Sequence, residues 1–205
     1  MNLYSKLIFP RLMDITMSGE SMSAHRRSLL ADVSGDILEI GFGTGLNLPH
    51  YPDSVKHLTT VDINPGMSQI AAKRAAQSGR RITQHVLSGE QLPMPNQSFD
   101  CVVSTWTLCS IPDVEQAIRE VHRVLKPQGK FFLIEHGLSD QPKVQTWQAR
   151  INPMQKVFGD GCHLDRDMQQ LVSQVFPAVE LEQFPEPSLP QFIGYFYKGI
   201  ATKAA

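Results

Sequence analysis

Asp36-Ile37-Leu38-Glu39-Ile40-Gly41-Phe42-Gly43-Thr44-Gly45 reads as a buried strand running into a glycine turn, with an acid, Glu39, just before the turn. Glycines at 41, 43 and 45 let the backbone bend sharply and approach a ligand with no Cβ in the way. The spacing is G-x-G-x-G, whereas a dinucleotide fingerprint requires a small residue three places after the second glycine. Leu46 occupies that place. No Lys-Ser or Lys-Thr pair follows the turn, so a phosphate-cradling P-loop is excluded. What remains is a turn suited to a nucleoside carrying no phosphate.

A second element supports the first. His57 to Asp62 (HLTTVD) is a short β-branched run ending in an acid, and Asn64-Pro65 then forms a helix cap with proline at the first helical position. Asp62 therefore falls at the carboxyl end of a second strand, where ligands bind in open α/β sheets and a carboxylate can accept both hydroxyls of a ribose.

Further along, Pro65–Ser78 has helical apolar spacing and stops at Gly79, and Val114, Ala117, Ile118, Val121 and Leu125 mark another helix face. Strands are expected at 81–87, 100–104 and 130–135, a helix at 164–176, and two late strands at 179–184 and 192–198. Alternating strands and helices predict a doubly wound, mostly parallel sheet with helices on both faces. At 205 residues the chain can bury about 70% of its unfolded surface in one core, so no second full domain is needed.

Charge and cysteine content narrow the function. With 19 basic and 20 acidic residues the net charge is -1, so no global field favours nucleic acid or an anionic membrane. Cys101, Cys109 and Cys162 lack C-x-x-C spacing, which argues against a zinc site or disulfide framework and suits a reducing, cytoplasmic setting. No metal is expected. No apolar run approaches the roughly 18 residues needed to span a bilayer.

Five elements in order, Glu39 to Gly45, Val61-Asp62, Ser88 to Pro93, Ser98-Phe99-Asp100 and Val124 to Lys130, resemble the class I S-adenosylmethionine-dependent methyltransferases. The resemblance implies a seven-stranded Rossmann-like sheet ending in a reversed hairpin, with S-adenosylmethionine as cofactor and S-adenosylhomocysteine as product. It would place Glu39, Gly41, Gly43, Thr44 and Gly45 at the methionine end, Asp62 at the ribose, Ser88, Gly89 and Glu90 at the adenine, and Ile63 among the residues that touch the cofactor. Thr105 and Leu108 would lie against the methyl donor. Many family members carry Asp where Ser88 stands, so the adenine contact is expected to move to Glu90 or to the backbone.

The second half is similar to the thiol S-methyltransferase branch through Leu108-Cys109-Ser110, Ile134-Glu135-His136, Phe158 to Arg166 with its Asp160-Gly161-Cys162 core, and Ile193-Gly194-Tyr195. This implies a small-molecule acceptor, a thiol ahead of a phospholipid amine or a quinone carbon. A nicotinamide oxidoreductase and a silent cofactor-binding subunit are the readings from other classes. Tyr4, Trp106, Cys109, Asp160 and Cys162 are the acceptor-site candidates, and His136, closing the fifth strand, is the candidate catalytic group. Residues 1–34 are expected to form a helical lid segment ahead of a methyltransferase domain at 35–205. Leu3, Tyr4, Leu7 and Ile8 could cover the crevice or dip into a membrane surface.

Overall fold

The computed structural model describes residues 3–205. Residues 1 and 2 of the expected lid segment lie outside them. A short π-helical turn, Tyr4–Ile8, leads into α1 (Phe9–Met17) and α2 (Glu20–Leu30). The sheet follows with β1 (Ile37–Ile40), β2 (His57–Val61), α3 (Pro65–Gln77), β3 (Arg81–His85), β4 (Phe99–Thr105), α4 (Val114–Val124) and β5 (Leu125–His136). The chain closes with α5 (Pro142–Phe158), α6 (Met168–Ser173), β6 (Ala178–Pro185) and β7 (Tyr195–Thr202).

The strands form one seven-stranded sheet in the order β3-β2-β1-β4-β5-β7-β6. The first five are parallel neighbours, and β7 runs antiparallel to both β5 and β6, giving the expected reversed hairpin. Two-residue alternation divides the side chains between two cores. Leu38, Ile40, Val102, Phe131 and Leu133 pack on one face with α4 and α6, while Ile37, Val103, Phe132 and Ile134 pack on the other with α2. Both faces are covered, so the central strands read as almost unbroken apolar runs.

The predicted helix at 164–176 is a correction. Only Met168–Ser173 is helical, because the Leu164 N–H donates to the Asn152 side chain and Asp167 caps the helix by accepting from Gln170 N–H. The last strand starts at Tyr195 instead of Phe192, since Ile193 and Gly194 N–H both close turns onto the Pro190 carbonyl. The third strand ends at His85, and the fifth is longer than expected, reaching back to Leu125 across a bulge opposite Phe99 and Cys101.

Helix α5 was not anticipated from the sequence pattern. Its buried face carries Val144, Gln148 and Asn152, whereas Trp147, Met154, Val157 and Phe158 are exposed, so its polarity is inverted. Gln148 justifies its burial with two hydrogen bonds, donating to the Gly137 carbonyl and accepting from Ser139 N–H. Helix α2 belongs to the core, burying Met22, Leu29 and Leu30, while Tyr4–Met17 runs on towards the carboxyl ends of the strands.

Candidate functional site

The glycine turn is held by its neighbours' backbone and by one carboxylate. Gly41 N–H donates to the Val61 carbonyl at 2.8 Å, and Asp62 accepts from Gly43 N–H and Asn64 N–H, both at 2.7 Å. Gly41, Gly43 and Gly45 have φ of 77°, 55° and 80°, the left-handed region that glycine enters without penalty. The two key glycines differ in what surrounds them. A Cβ on Gly41 would strike the Thr107 side chain, whereas one on Gly43 would meet nothing nearer than 3.9 Å. Open space therefore stands beside Gly43, at the carboxyl ends of β1 and β2.

Glu39 lies beneath this turn on the face opposite Leu38 and Ile40, and it is fully sealed. Asn47 and Tyr51 each donate to it at 2.8 Å. Burial pushes its carboxyl up to about 7, against these donors and the buried Arg26 guanidinium, which lower it. Arg26 is held down to about 10 by its own burial, and it stacks 4.7 Å from the centre of the Trp106 ring. Burial also raises the Asp62 pKa, with the two backbone N–H groups working against that rise.

Ile63 stands 61% exposed beside Asp62, an apolar side chain with a free face. The Ser88 hydroxyl donates to Glu90 at 2.8 Å, and the other Glu90 oxygen accepts from Asp113 N–H at the start of α4. Gly89 packs on Ile40, where a Cβ would come within 2.9 Å of its methyl group. Thr44 is buried, and its carbonyl accepts from Arg74, which also pairs with Asp14 at 2.6 Å and so ties α1 to the turn.

The acceptor candidates gather at the ends of β4 and β5. Glu135 is completely buried and accepts from Ser104 Oγ and from the N–H groups of Thr107, Leu108 and Cys109. Those bonds rigidify the turn Leu108–Ser110 that carries Cys109. Trp106 has φ of 51° and packs edge-on against Phe196, so it braces the core of the α2 face. Thr105 accepts from Asn47 at 3.0 Å.

Cys162 comes to Cys109 through a close approach. Gly161, with φ of 95°, would put a Cβ only 3.1 Å from the Ser110 carbonyl, and His163 N–H donates to the Cys109 carbonyl at 2.9 Å. The two sulfurs end 3.5 Å apart, and His136 Nδ1 lies 3.9 Å from Cys109 Sγ and 3.8 Å from Cys162 Sγ. The contact with Cys109, followed by the His136 imidazole, pulls the Cys162 thiol well below its ordinary value, while the same contact raises Cys109. Burial opposes charging His136, but the adjacent Cys162 thiolate outweighs it and raises that pKa.

Asp160 is not beside these sulfurs. It accepts from Ser5 Oγ at 2.6 Å, and Asn64 donates to the Ser5 carbonyl at 2.8 Å, so Ser5 links the α3 cap to the Asp160 loop across the strand ends. Tyr4 donates to the Phe158 carbonyl at 2.7 Å, which ties the first turn to the end of α5. Asn47, Tyr51, Arg26 and Ser5 had no motif to announce them. For the first two a signal existed: a buried acid needs donors, and they are polar residues directly after the turn.

These residues suit S-adenosylmethionine. Gly43 leaves room, Ile63 offers an apolar face beside the Asp62 carboxylate, and the buried Asn47 Oδ1 and Trp106 Nε1 have no hydrogen-bond partner among the described residues. Two shallow depressions lie elsewhere, one lined by Asp32, Asp100 and Lys130 and one by Leu29, Glu182 and Lys198, and neither includes a candidate residue.

The family described as a methyltransferase domain matches residues 38–133. The chain is 34% identical to the thiol S-methyltransferase TMT1B of Rattus norvegicus, covering 97% of this chain and 87% of that protein. Against TMT1B of Homo sapiens it is 30% identical over the same shares, 97% and 87%. The solved structure of YcgJ from Bacillus subtilis shares the fold, with a TM-score of 0.64 at 24% identity over 80% of this chain and 74% of that one.

Proposed function

We propose that this chain, which belongs to the class I S-adenosylmethionine-dependent methyltransferases, uses a small thiol as its methyl acceptor. The observation that carries the thiol reading is that the similarity to thiol S-methyltransferases runs over 97% of the chain, through the acceptor half beyond β5. Bound at the glycine turn, S-adenosylmethionine supplies a methyl carbon activated by a positive sulfur. Asp62 would take the ribose hydroxyls, Ile63 and the Ser88–Glu90 loop the adenine, and Glu39 would face the cationic methionine end through the turn.

The acceptor side supports a nucleophile that forms its own anion. Glu135, the buried carboxylate closest to Cys109, is committed to four donors and is not free to act as a base. A thiol with a pKa near 8.5 asks for little base strength, and a direct displacement asks mainly for alignment. His136 stands at this end with Nδ1 towards the two cysteines. The Ser5 bridge supports a lid role for Tyr4–Met17, which would keep water from the reacting atoms.

The outer face supports peripheral membrane contact, which would suit apolar thiols. Leu7, Ile8 and Ile15 are exposed in the N-terminal segment, and Trp147, Val157 and Phe158 on α5. Lys6, Arg11, Lys143, Arg150 and Lys156 share these elements with Asp14 as the single acid, so an anionic lipid surface is the occupant that fits. Among the described residues no helix is long and apolar enough to cross a membrane.

Screening thiols, amines, phenols and lipids for S-adenosylhomocysteine release tests the acceptor class. Release with thiols is expected. Release only with a phosphatidylethanolamine amine or a quinol would replace the thiol reading while leaving the methyltransferase intact.

A further inference from the structure

Three ligating atoms from distant parts of the chain meet at the acceptor end: Cys109 Sγ, His136 Nδ1 and Cys162 Sγ, all within 4.8 Å of one another. Their separations can be compared with what a metal would impose. Zn–S of about 2.3 Å and Zn–N of about 2.0–2.1 Å at tetrahedral angles place two sulfurs about 3.8 Å apart and sulfur and nitrogen about 3.6 Å apart. The observed 3.5 Å between sulfurs, and 3.9 and 3.8 Å from each sulfur to nitrogen, lie within about 0.3 Å of those values.

The frame behind the three groups is rigid. Glu135 pins the Cys109 turn with three backbone N–H bonds, β5 ends at His136, and the His163 N–H to Cys109 carbonyl bond locks the Cys162 loop to that turn. Both cysteines are free thiols, so neither is committed to a disulfide. Both are also buried, while His136 is partly exposed.

We propose that Cys109, His136 and Cys162 form a three-ligand zinc site whose open fourth position binds the acceptor thiol as a thiolate. Three protein ligands with one exchangeable position is the arrangement of catalytic zinc, and a donor set of two sulfurs and one imidazole suits that borderline-soft ion. Two cysteinates and a neutral imidazole balance the charge of the ion, so the buried set stays neutral when the ion is bound. The acceptor thiol loses its proton to solvent on binding, and the metal holds the sulfur as an anion at neutral pH. In the transfer, that sulfur's lone pair forms the new bond to the methyl carbon. The carbon–sulfonium bond breaks with its electron pair returning to the donor sulfur, and zinc keeps its oxidation state throughout.

This proposal rests on the thiol reading above, and the test separates the two. Full-length protein stripped with a chelator is titrated with Co(II) and followed by absorption. One equivalent per chain should bind with a thiolate-to-cobalt charge-transfer band and intense tetrahedral visible bands. Adding a small alkyl thiol without methyl donor should then shift those bands saturably as a third sulfur joins. Cys109→Ser and Cys162→Ser should each lower metal affinity by on the order of a hundredfold or more, whereas Cys101→Ser, at the remaining cysteine, should leave it unchanged. Thermal melts of each variant show whether it folds, and the thiol-induced shift in unmodified protein gives an answer even if both variants fail to fold. No stoichiometric Co(II) binding, or binding indifferent to both substitutions, overturns the proposal. So does thiol methylation at full rate by metal-free protein, which would leave the thiol reading standing. Metal and thiol binding as expected, with no thiol ever methylated, would uphold the site and refute the thiol reading.

Discussion

Glu39→Gln should uncouple cofactor binding from the pH dependence of stability. The Glu39 carboxyl sits at about 7 in the fold against an ordinary 4.5, so between those values the folded chain holds a proton that the unfolded chain has released. Stability is then fully supported below about 4.5 and falls as pH rises through the window to about 7. At 1.36 kcal/mol per pH unit the change amounts to about 3 kcal/mol. Replacement by the neutral amide removes this slope while keeping the group's size, and its NH2 can donate to Asn47 Oδ1, which has no partner among the described residues. Arg26 stays protonated throughout this range, and its attraction for the Glu39 carboxylate is already part of the Glu39 pKa of about 7. Urea unfolding of both proteins from pH 4.5 to 7.5 measures the difference. The variant should gain about 3 kcal/mol relative to the wild type across that range, while its affinity for S-adenosylmethionine at pH 7.5 should fall by about 1 to 3 kcal/mol. Parallel stability curves would refute the buried-acid reasoning, and unchanged affinity would remove Glu39 from the cofactor site.

Asp62→Ala should weaken S-adenosylmethionine by about 1 to 3 kcal/mol through lost charge-assisted hydrogen bonds, and unchanged affinity in calorimetry would sink the ribose assignment. Gly43→Val should fold, at a cost of about 1 to 2 kcal/mol for the left-handed backbone, yet fail to bind the cofactor because its side chain enters the open space; normal binding by a folded variant would contradict that. Deleting residues 1 to 17 removes the Ser5 bridge and the Asp14–Arg74 pair, so the acceptor KM should rise and sedimentation with anionic vesicles should drop while the melt stays cooperative. If the truncated chain unfolds, the segment is part of the core.

The cofactor half was legible because its chemistry is local in sequence. Glu39 to Gly45 and Asp62 each declare a strand end and a turn within a few residues, and the Asn64 cap and α3 follow directly. The acceptor half was legible in its residues but not in their assembly. His136 lies 27 positions from Cys109 and 26 from Cys162, so only tertiary packing could bring them together. Helix α5 escaped because hydrophobic periodicity assumes an apolar buried face, and here Gln148 and Asn152 face inward while Trp147 and Phe158 face out. Leu164–Asp167 failed for a similar reason: its apolar residue is buried in a bend anchored by Asn152, a partner invisible to local pattern.

The most direct measurement of the central claim is methyl transfer itself. The protein is incubated with S-adenosylmethionine labelled with deuterium in its methyl group and a small alkyl thiol, and the products are read by mass spectrometry. The account predicts a thioether carrying the intact labelled methyl, formed together with S-adenosylhomocysteine and lowered in yield when the Asp62→Ala variant is used at limiting donor. Absence of any labelled thioether across a range of thiols, with the label recovered instead in a phospholipid or a quinone, would contradict it.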